Sequence, residues 1–187
     1  TGRILRSPYA HARIISIDTS RAEALPGVRA VVTAEDTIKR GWGAFVQDQY
    51  PLSVGKARYV GEEVAAVAAI DTVTADAAIS LIDVQWEVIP AVYNAEEAMQ
   101  SGAPLVHEGT KHNIALAIDV ERGDVERAFA ESDVVVEREF RTRPVHQGYI
   151  EPQATTAFWN NDGNLTIWCS TQQLFAFRDH ASTLLDI

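Results

Sequence analysis

The chain has 187 residues, 47% hydrophobic and 22% charged, a composition of globular domains that excludes wholesale disorder. Its 16 basic and 26 acidic side chains give a net charge of -10, and the basic residues are scattered, so nucleic acid is not an expected partner. Cys169 is the single cysteine, which excludes an internal disulfide or a cysteine-ligated metal site built by this chain alone, and no apolar run reaches the roughly 18 residues that span a bilayer.

In chain order, Ala12 to Asp18 has the β-branched content of a strand, through Ile14, Ile15 and Ile17. A short helix is expected next, with Ser20 and Glu23 spaced as a capping box, and Pro26-Gly27 ends it before a second strand, Val28 to Thr33. From Glu35 to about Leu52 the pattern weakens, and Gly41, Gly43 and Pro51 predict a surface loop. Glu63 to Ile70 is nearly all apolar between Gly61 and Asp71, which predicts a central strand covered on both faces.

Ala75, Ala78, Ile79 and Ile82 then fall at helical spacing, predicting a helix of about three turns capped by Asp71 or Thr72. Asp83 to Ile89 alternates, with Val84, Trp86 and Val88 on one side, as a half-buried strand does. Strand, helix, strand suggests a packed α/β layer. A short helix near Glu96 to Gln100 leads to Ser101-Gly102-Ala103-Pro104, and a domain join is expected between Leu105 and Asn113.

Beyond the join, Ile114 to Val120 is predicted as a strand, Asp124 to Ala130 as a short helix and Asp133 to Thr142 as a long alternating strand. Ala154 to Trp159 and Leu165 to Ser170 flank Asn160-Asn161-Asp162-Gly163-Asn164, whose Asp-Gly step suits a hairpin turn. Leu174 to Ile187 is predicted to be helical. The chain opens without methionine inside an expected strand and stops inside an expected helix, so both ends are expected to lie within a longer polypeptide. The lone thiol suits a cytoplasmic setting, with an export signal upstream of Thr1 left open.

Chemistry is sparse on this reading. His107, Glu108 and His112 do not make a zinc-protease helix, because the histidines are five apart and Gly109 intervenes; no metal site is expected. Gly41 and Gly43 lack the third glycine or the lysine-serine pair of a phosphate loop. Cys169, in an apolar alternating strand, is expected to be a buried, inert thiol. Arg143, His146, Tyr149 and Glu151 crowd a stretch broken by Pro144, Gly148 and Pro152, where side chains converge from loops. Gln172 and Gln173, between a strand end and a helix, read in isolation as cap or surface residues.

Three stretches nevertheless carry a family resemblance. LRSPYAHARIISIDTSRAEALPGVRAVVTAED, then YVGEEVAAVAAIDTVTADAAISLIDVQWEVIPAV with GAPLVHE, then VHQGYIEPQATTA with WCSTQQ, resemble the large subunit of the molybdenum hydroxylases of the xanthine dehydrogenase and aldehyde oxidase type, in the family's order and over essentially the whole chain. The resemblance implies an α+β chain: an α/β-hammerhead domain over residues 1–108, followed by the beginning of the first molybdopterin-binding domain over 109–187.

It also implies that Gln172 sits in the segment whose glutamine hydrogen-bonds an oxo ligand of molybdenum, an uncharged donor well suited to orient the centre without ligating it. Tyr149, Glu151 and Thr171 are implied as supporting residues. No catalytic residue is implied within this stretch, since the family's general base is a glutamate near the end of the full subunit. Relatives hydroxylate an aromatic or N-heterocyclic carbon, an aldehyde or a thioester-linked compound with oxygen from water, using molybdenum-molybdopterin. Electrons then leave through iron–sulfur clusters toward FAD.

Neither group has a motif here, so the clusters and FAD are implied to sit on partner subunits or on other segments, with an iron–sulfur subunit and an FAD subunit as the implied partners in an oligomeric complex. The proline of IEPQA resembles the three-subunit bacterial members. Two alternatives stand beside this reading: a carbon monoxide dehydrogenase large subunit, marked by a cysteine-bearing loop further along, and a non-catalytic assembly module with a decayed cofactor site. The glycine-rich cofactor segment, GGFGGK or a close variant, would separate enzyme from module.

Overall fold

The computed structural model describes residues 1–43 and 46–187. Two three-stranded antiparallel sheets form the first part of the chain. In one, β1 (Gly2–Arg6) and β3 (Val28–Thr33) flank β5 (Glu63–Ala69), the expected central strand. In the other, β4 (Lys56–Ala57) and β6 (Asp83–Val88) flank β2 (Ala12–Asp18).

The face of β5 carrying Ala65, Val67 and Ala69 is sealed, while on the opposite face only Val64 is fully buried and Ala68 is exposed. The expectation of cover on both faces therefore holds only at the start of the strand. Alanine, with so little apolar surface, can stand in water at small cost. Helix α2 (Thr72–Ile79) packs on the sealed face, and Ala22, Ala65, Val67, Ala78 and Ile82 form the buried core. Ile17 of β2 and Val84 of β6 pack against that core as well, so it joins the two sheets. Every one of the core residues is small or β-branched, which lets helix and sheet approach closely.

Three local expectations need correction. Helix α2 has eight residues rather than three turns; Ser80 ends it, its hydroxyl donating to Asp76 O at 3.0 Å, and Ile82 reaches the core from the following turn. Asp71 caps its start, accepting from the Thr74 N–H at 2.7 Å. Secondly, β6 pairs with β2 rather than joining β5, so strand, helix and strand cross between sheets instead of forming one layer. Thirdly, Ser20 lies inside α1 (Ser20–Glu23), where its hydroxyl cannot cap; Thr19 precedes the helix in αR geometry and turns its hydroxyl to Glu23 at 2.6 Å. A capping box forms instead at Thr33 and Asp36, around a short 3-10 turn, Ala34–Asp36.

Gly27 ends the α1 turn at φ 95, a conformation that favours glycine, and a Cβ there would lie 3.0 Å from Ile70 Cδ1, so Ile70 would have to give way. The predicted loop from Glu35 onward carries one isolated pairing, Trp42 with Gln49; its residues 44–45 lie outside the described residues. Helix α3 (Ala95–Ala98) follows β6, one residue earlier than expected, with Asn94 accepting from the Glu96 N–H at 2.8 Å.

The chain divides into two units: Thr1–Ala117 with His180–Ile187, and Ile118–Asp179. In the second, α4 (Val125–Glu131) is capped by Asp124, and β7 (Thr155–Trp159) pairs with β8 (Leu165–Cys169) as the Asp-Gly signal predicts. Asn160 Oδ1 organises that turn, accepting from Asp162 N–H at 3.1 Å and Asn164 N–H at 2.8 Å, with Gly163 at φ 81. Helix α5 (Leu174–Leu185) follows β8.

The strands expected over Ile114 to Val120 and Asp133 to Thr142 do not form. Val120, Val134, Val136 and Phe140 are 83%, 77%, 72% and 88% exposed, and the runs lack a paired neighbour among the described residues beyond a single bridge from Lys111 to Ile114. Alternation defines two faces, but a strand exists only where another chain segment takes up its N–H and C=O groups. No described helix is long and apolar enough to cross a membrane.

Candidate functional site

Strand β8 turns Leu165, Ile167 and Cys169 to one half-buried face and leaves Trp168 58% exposed on the other. Cys169 is thus half-buried rather than sealed, because the hairpin has only two strands to cover it. Beyond Cys169 the pairing continues by one residue: the Ser170 N–H donates to Ala154 O at 3.3 Å and its hydroxyl donates to Pro152 O at 3.2 Å. Ser170 thereby fixes the Glu151-Pro152 stretch beside the turn that follows.

That turn is closed by a side chain. Thr171 Oγ1 accepts from the Gln173 N–H at 3.2 Å, and Gln173 O in turn accepts from the Phe177 N–H at 2.9 Å in the first turn of α5. Gln172 stands between them, exposed, and its amide has no hydrogen-bond partner among the described residues. A neutral amide held at a strand-to-helix turn offers two N–H donors and one acceptor to a ligand. This donor set suits an oxygen-rich metal centre that needs orientation rather than a further ligand.

Of the other expected residues, Thr171 shapes the turn directly, and Glu151 precedes the proline that Ser170 holds. Tyr149 is drawn elsewhere: its ring lies 5.1 Å from that of His146, tilted by 53°, while His146 Nδ1 accepts from the Gly148 N–H at 3.2 Å. Arg143 and Glu151 are exposed. Ser170 was not among the expected residues. A serine at a strand end has no periodicity to reveal it, and its role comes from a partner 18 residues away.

His107 and Glu108, weighed above as zinc ligands, have other partners. His107 pairs with Asp48, and Glu108 Oε1 lies 2.6 Å from Lys56 Nζ. Burial costs here are met by pairing: Lys56 is only 7% exposed. Its hydrogen bond holds the Glu108 carboxyl below its ordinary pKa. A cleft of about 570 Å³ in the first unit is lined by Asp48 and His107, which pair with each other, and by Arg58 and Glu62, 3.7 Å apart, with the Arg58 Nε left buried without a partner among the described residues.

Comparison with known sequences and structures bears on both units. Residues 1–90 match the family described as aldehyde oxidase and xanthine dehydrogenase, a/b hammerhead domain, and residues 106–187 match the molybdopterin cofactor-binding domain. A probable xanthine dehydrogenase subunit of Bacillus subtilis (strain 168) is 35% identical over 100% of this chain and 25% of its own length. The nicotinate dehydrogenase large molybdopterin subunit of Eubacterium barkeri is 34% identical over 90% of this chain and 40% of its own. Among solved structures, a Cu,Mo-CO dehydrogenase in its carbon monoxide reduced state superposes with a TM-score of 0.81 at 33% identity, over 97% of this chain and 25% of that one. The chain therefore spans between a quarter and two fifths of the length of these relatives.

Proposed function

Because the chain belongs to the family of molybdopterin-binding large subunits of xanthine dehydrogenase and aldehyde oxidase type, we propose that it forms the front part of a hydroxylase acting on an aromatic or N-heterocyclic, aldehyde or thioester-linked substrate. The hammerhead module spans residues 1–108 and the cofactor module begins at 109; the two family matches, ending at 90 and starting at 106, support that division. When bound, the molybdenum cofactor supplies a two-electron oxidation of a substrate carbon with oxygen from water. This chain's own part is positioning. Gln172 offers its unpartnered N–H to the molybdenum centre, Thr171 closes the turn that holds it, and Ser170 ties that turn to Pro152. Glu151 precedes the proline that Ser170 holds, and Tyr149, packed on His146 away from the turn, stands as a more distant supporting residue; neither takes part in proton transfer.

An iron–sulfur subunit and an FAD subunit receive the electrons, in a cytoplasmic complex. Relatives that carry subunit names, such as the 6-hydroxypseudooxynicotine dehydrogenase complex subunit gamma of Paenarthrobacter nicotinovorans, support the multi-subunit arrangement. The single observation that carries the reading is the free amide of Gln172 at the β8–α5 turn. The test is dye reduction with heterocyclic and aldehyde substrates by the complete subunit assembled with its partners. Gln172→Ala should lower turnover by about 10- to 100-fold with molybdenum content retained; unaltered turnover removes Gln172 from the site. A second reading, carbon monoxide oxidation, draws on the CO dehydrogenase superposition. Carbon monoxide-dependent dye reduction with copper in the purified complex would favour it.

A further inference from the structure

The stretch that leaves β6 is folded back on the first unit at several points. The Ile89 N–H donates to His11 O at 3.1 Å, and His11, 4% exposed, donates from Nδ1 to Pro90 O at 2.7 Å. Further along, Lys56 Nζ reaches Leu105 O at 3.4 Å and the Glu108 carboxylate at 2.6 Å. Between these anchors one side chain gathers the backbone. Asn113 Nδ2 donates to Ala98 O at 2.9 Å and to Pro104 O at 3.0 Å, and its Oδ1 accepts from the Val106 N–H at 2.8 Å. Its own backbone stands at φ 56, a conformation asparagine tolerates better than most residues.

Both donors and the acceptor of that amide thus engage main chain from three separate places. We infer that residues 89–113 form a strap, closed by Asn113, that shields Lys56 and opens as a unit without unfolding the sheets beneath. The physical basis is local. Ala98 is the one buried residue of the short helix α3, and the stretch from 99 to 113 has no regular element of its own. Its closure therefore rests on a few polar contacts, the signature of a segment that opens well below the global unfolding free energy. Lys56 is the reporter, because the two groups its ammonium reaches, Leu105 O and Glu108, both belong to the strap.

The test uses the complete subunit assembled with its partners, acetylated briefly with acetic anhydride and read by mass spectrometry, alongside amide exchange. Lys39, 53% exposed, is the internal reference. Asn113→Gly keeps the backbone conformation and deletes the amide. It should raise Lys56 labelling about tenfold relative to Lys39 and speed exchange at Val106, with Ala65 and Val67 of β5 still slow. Asn113→Asp keeps the acceptor for Val106 but loses both donors, and should fall between parent and glycine variant. Unchanged labelling of Lys56 in the glycine variant would overturn the inference, and so would loss of protection in β5 alongside the strap, since the strap would then not be a separate unit.

Discussion

The ammonium of Lys56, nine-tenths buried on β4, lies 2.6 Å from the carboxylate of Glu108, fifty-two residues along the chain. The Lys56 hydrogen bond is the main cause that lowers the Glu108 pKa. A depressed folded-state value means that the pair's stabilisation is present above the ordinary glutamate range and is lost as pH falls through the lowered value. The protection of the Val106 amide, taken against its intrinsic exchange rate at each pH, should therefore fall on acidification below the ordinary range. In Glu108→Gln that acid step should vanish, with faster exchange already at neutral pH. An acid step of full size in the glutamine variant would assign it to another group.

Gly27→Ala forces a side chain into a φ of 95 and against Ile70. The expected loss is about 1–2 kcal/mol from the backbone conformation alone. Native-state exchange at Ile70, whose N–H donates to Gly27 O at 3.0 Å, measures it. No change at that amide would mean the α1–β3 turn relaxes freely.

Val67 is 2% exposed at the centre of the sealed face. Val67→Ala removes two methyl groups from the core joining both sheets, and about 2 kcal/mol of local stability should go with them. The effect should be visible in exchange at β5 amides. An equal loss from Ala68→Gly, on the open face, would contradict the one-sided packing.

The helix cap at Asp71 is worth testing by chemistry rather than size. Backbone hydrogen bonding from Thr74 lowers the Asp71 pKa, so the cap's contribution above the ordinary aspartate range disappears as pH drops through the folded value. Asp71→Ala should speed exchange at Thr74, and Asp71→Asn should largely restore the parent rate. At low pH the parent should approach the alanine variant, while the asparagine variant should not move.

For Gln172 the charge of the replacement decides the outcome. Glutamate has the same length but only accepts, and at the proposed position it would at neutral pH bring a negative charge toward the oxygen-rich centre. Turnover of Gln172→Glu in the assembled enzyme should therefore fall at least as far as that of Gln172→Ala, by about 100-fold, without loss of molybdenum. A glutamate variant more active than the alanine variant would show that length, not the N–H, matters.

Much of the first unit was legible because its signals are local. Val64 and Val67 stand in a run bounded by Gly61 and Asp71, and in the second unit the hairpin was legible for the same reason, since Asp162-Gly163 sits between two β-rich runs. What escaped depends on partners distant in sequence. Two residues, Lys56 and Ala57, are too few to carry a period, yet they pair with Arg13 and Ala12. Lys56 looks like a surface residue until residues 105–108 are laid over it. The alternation of Val134 and Val136 was visible, but pattern alone cannot supply the neighbour a strand needs. Gln172 became a candidate only through resemblance; the structure then added the turn that isolates its amide.

The bare runs around Val120, Val134, Val136 and Phe140 bear on how such a chain is made. Greasy, unpaired backbone emerging from a ribosome is what holdase chaperones bind and what nascent chains clump through. Recombinant production of these 187 residues by themselves should therefore favour inclusion bodies, with the unpaired runs of the second unit the expected points of association.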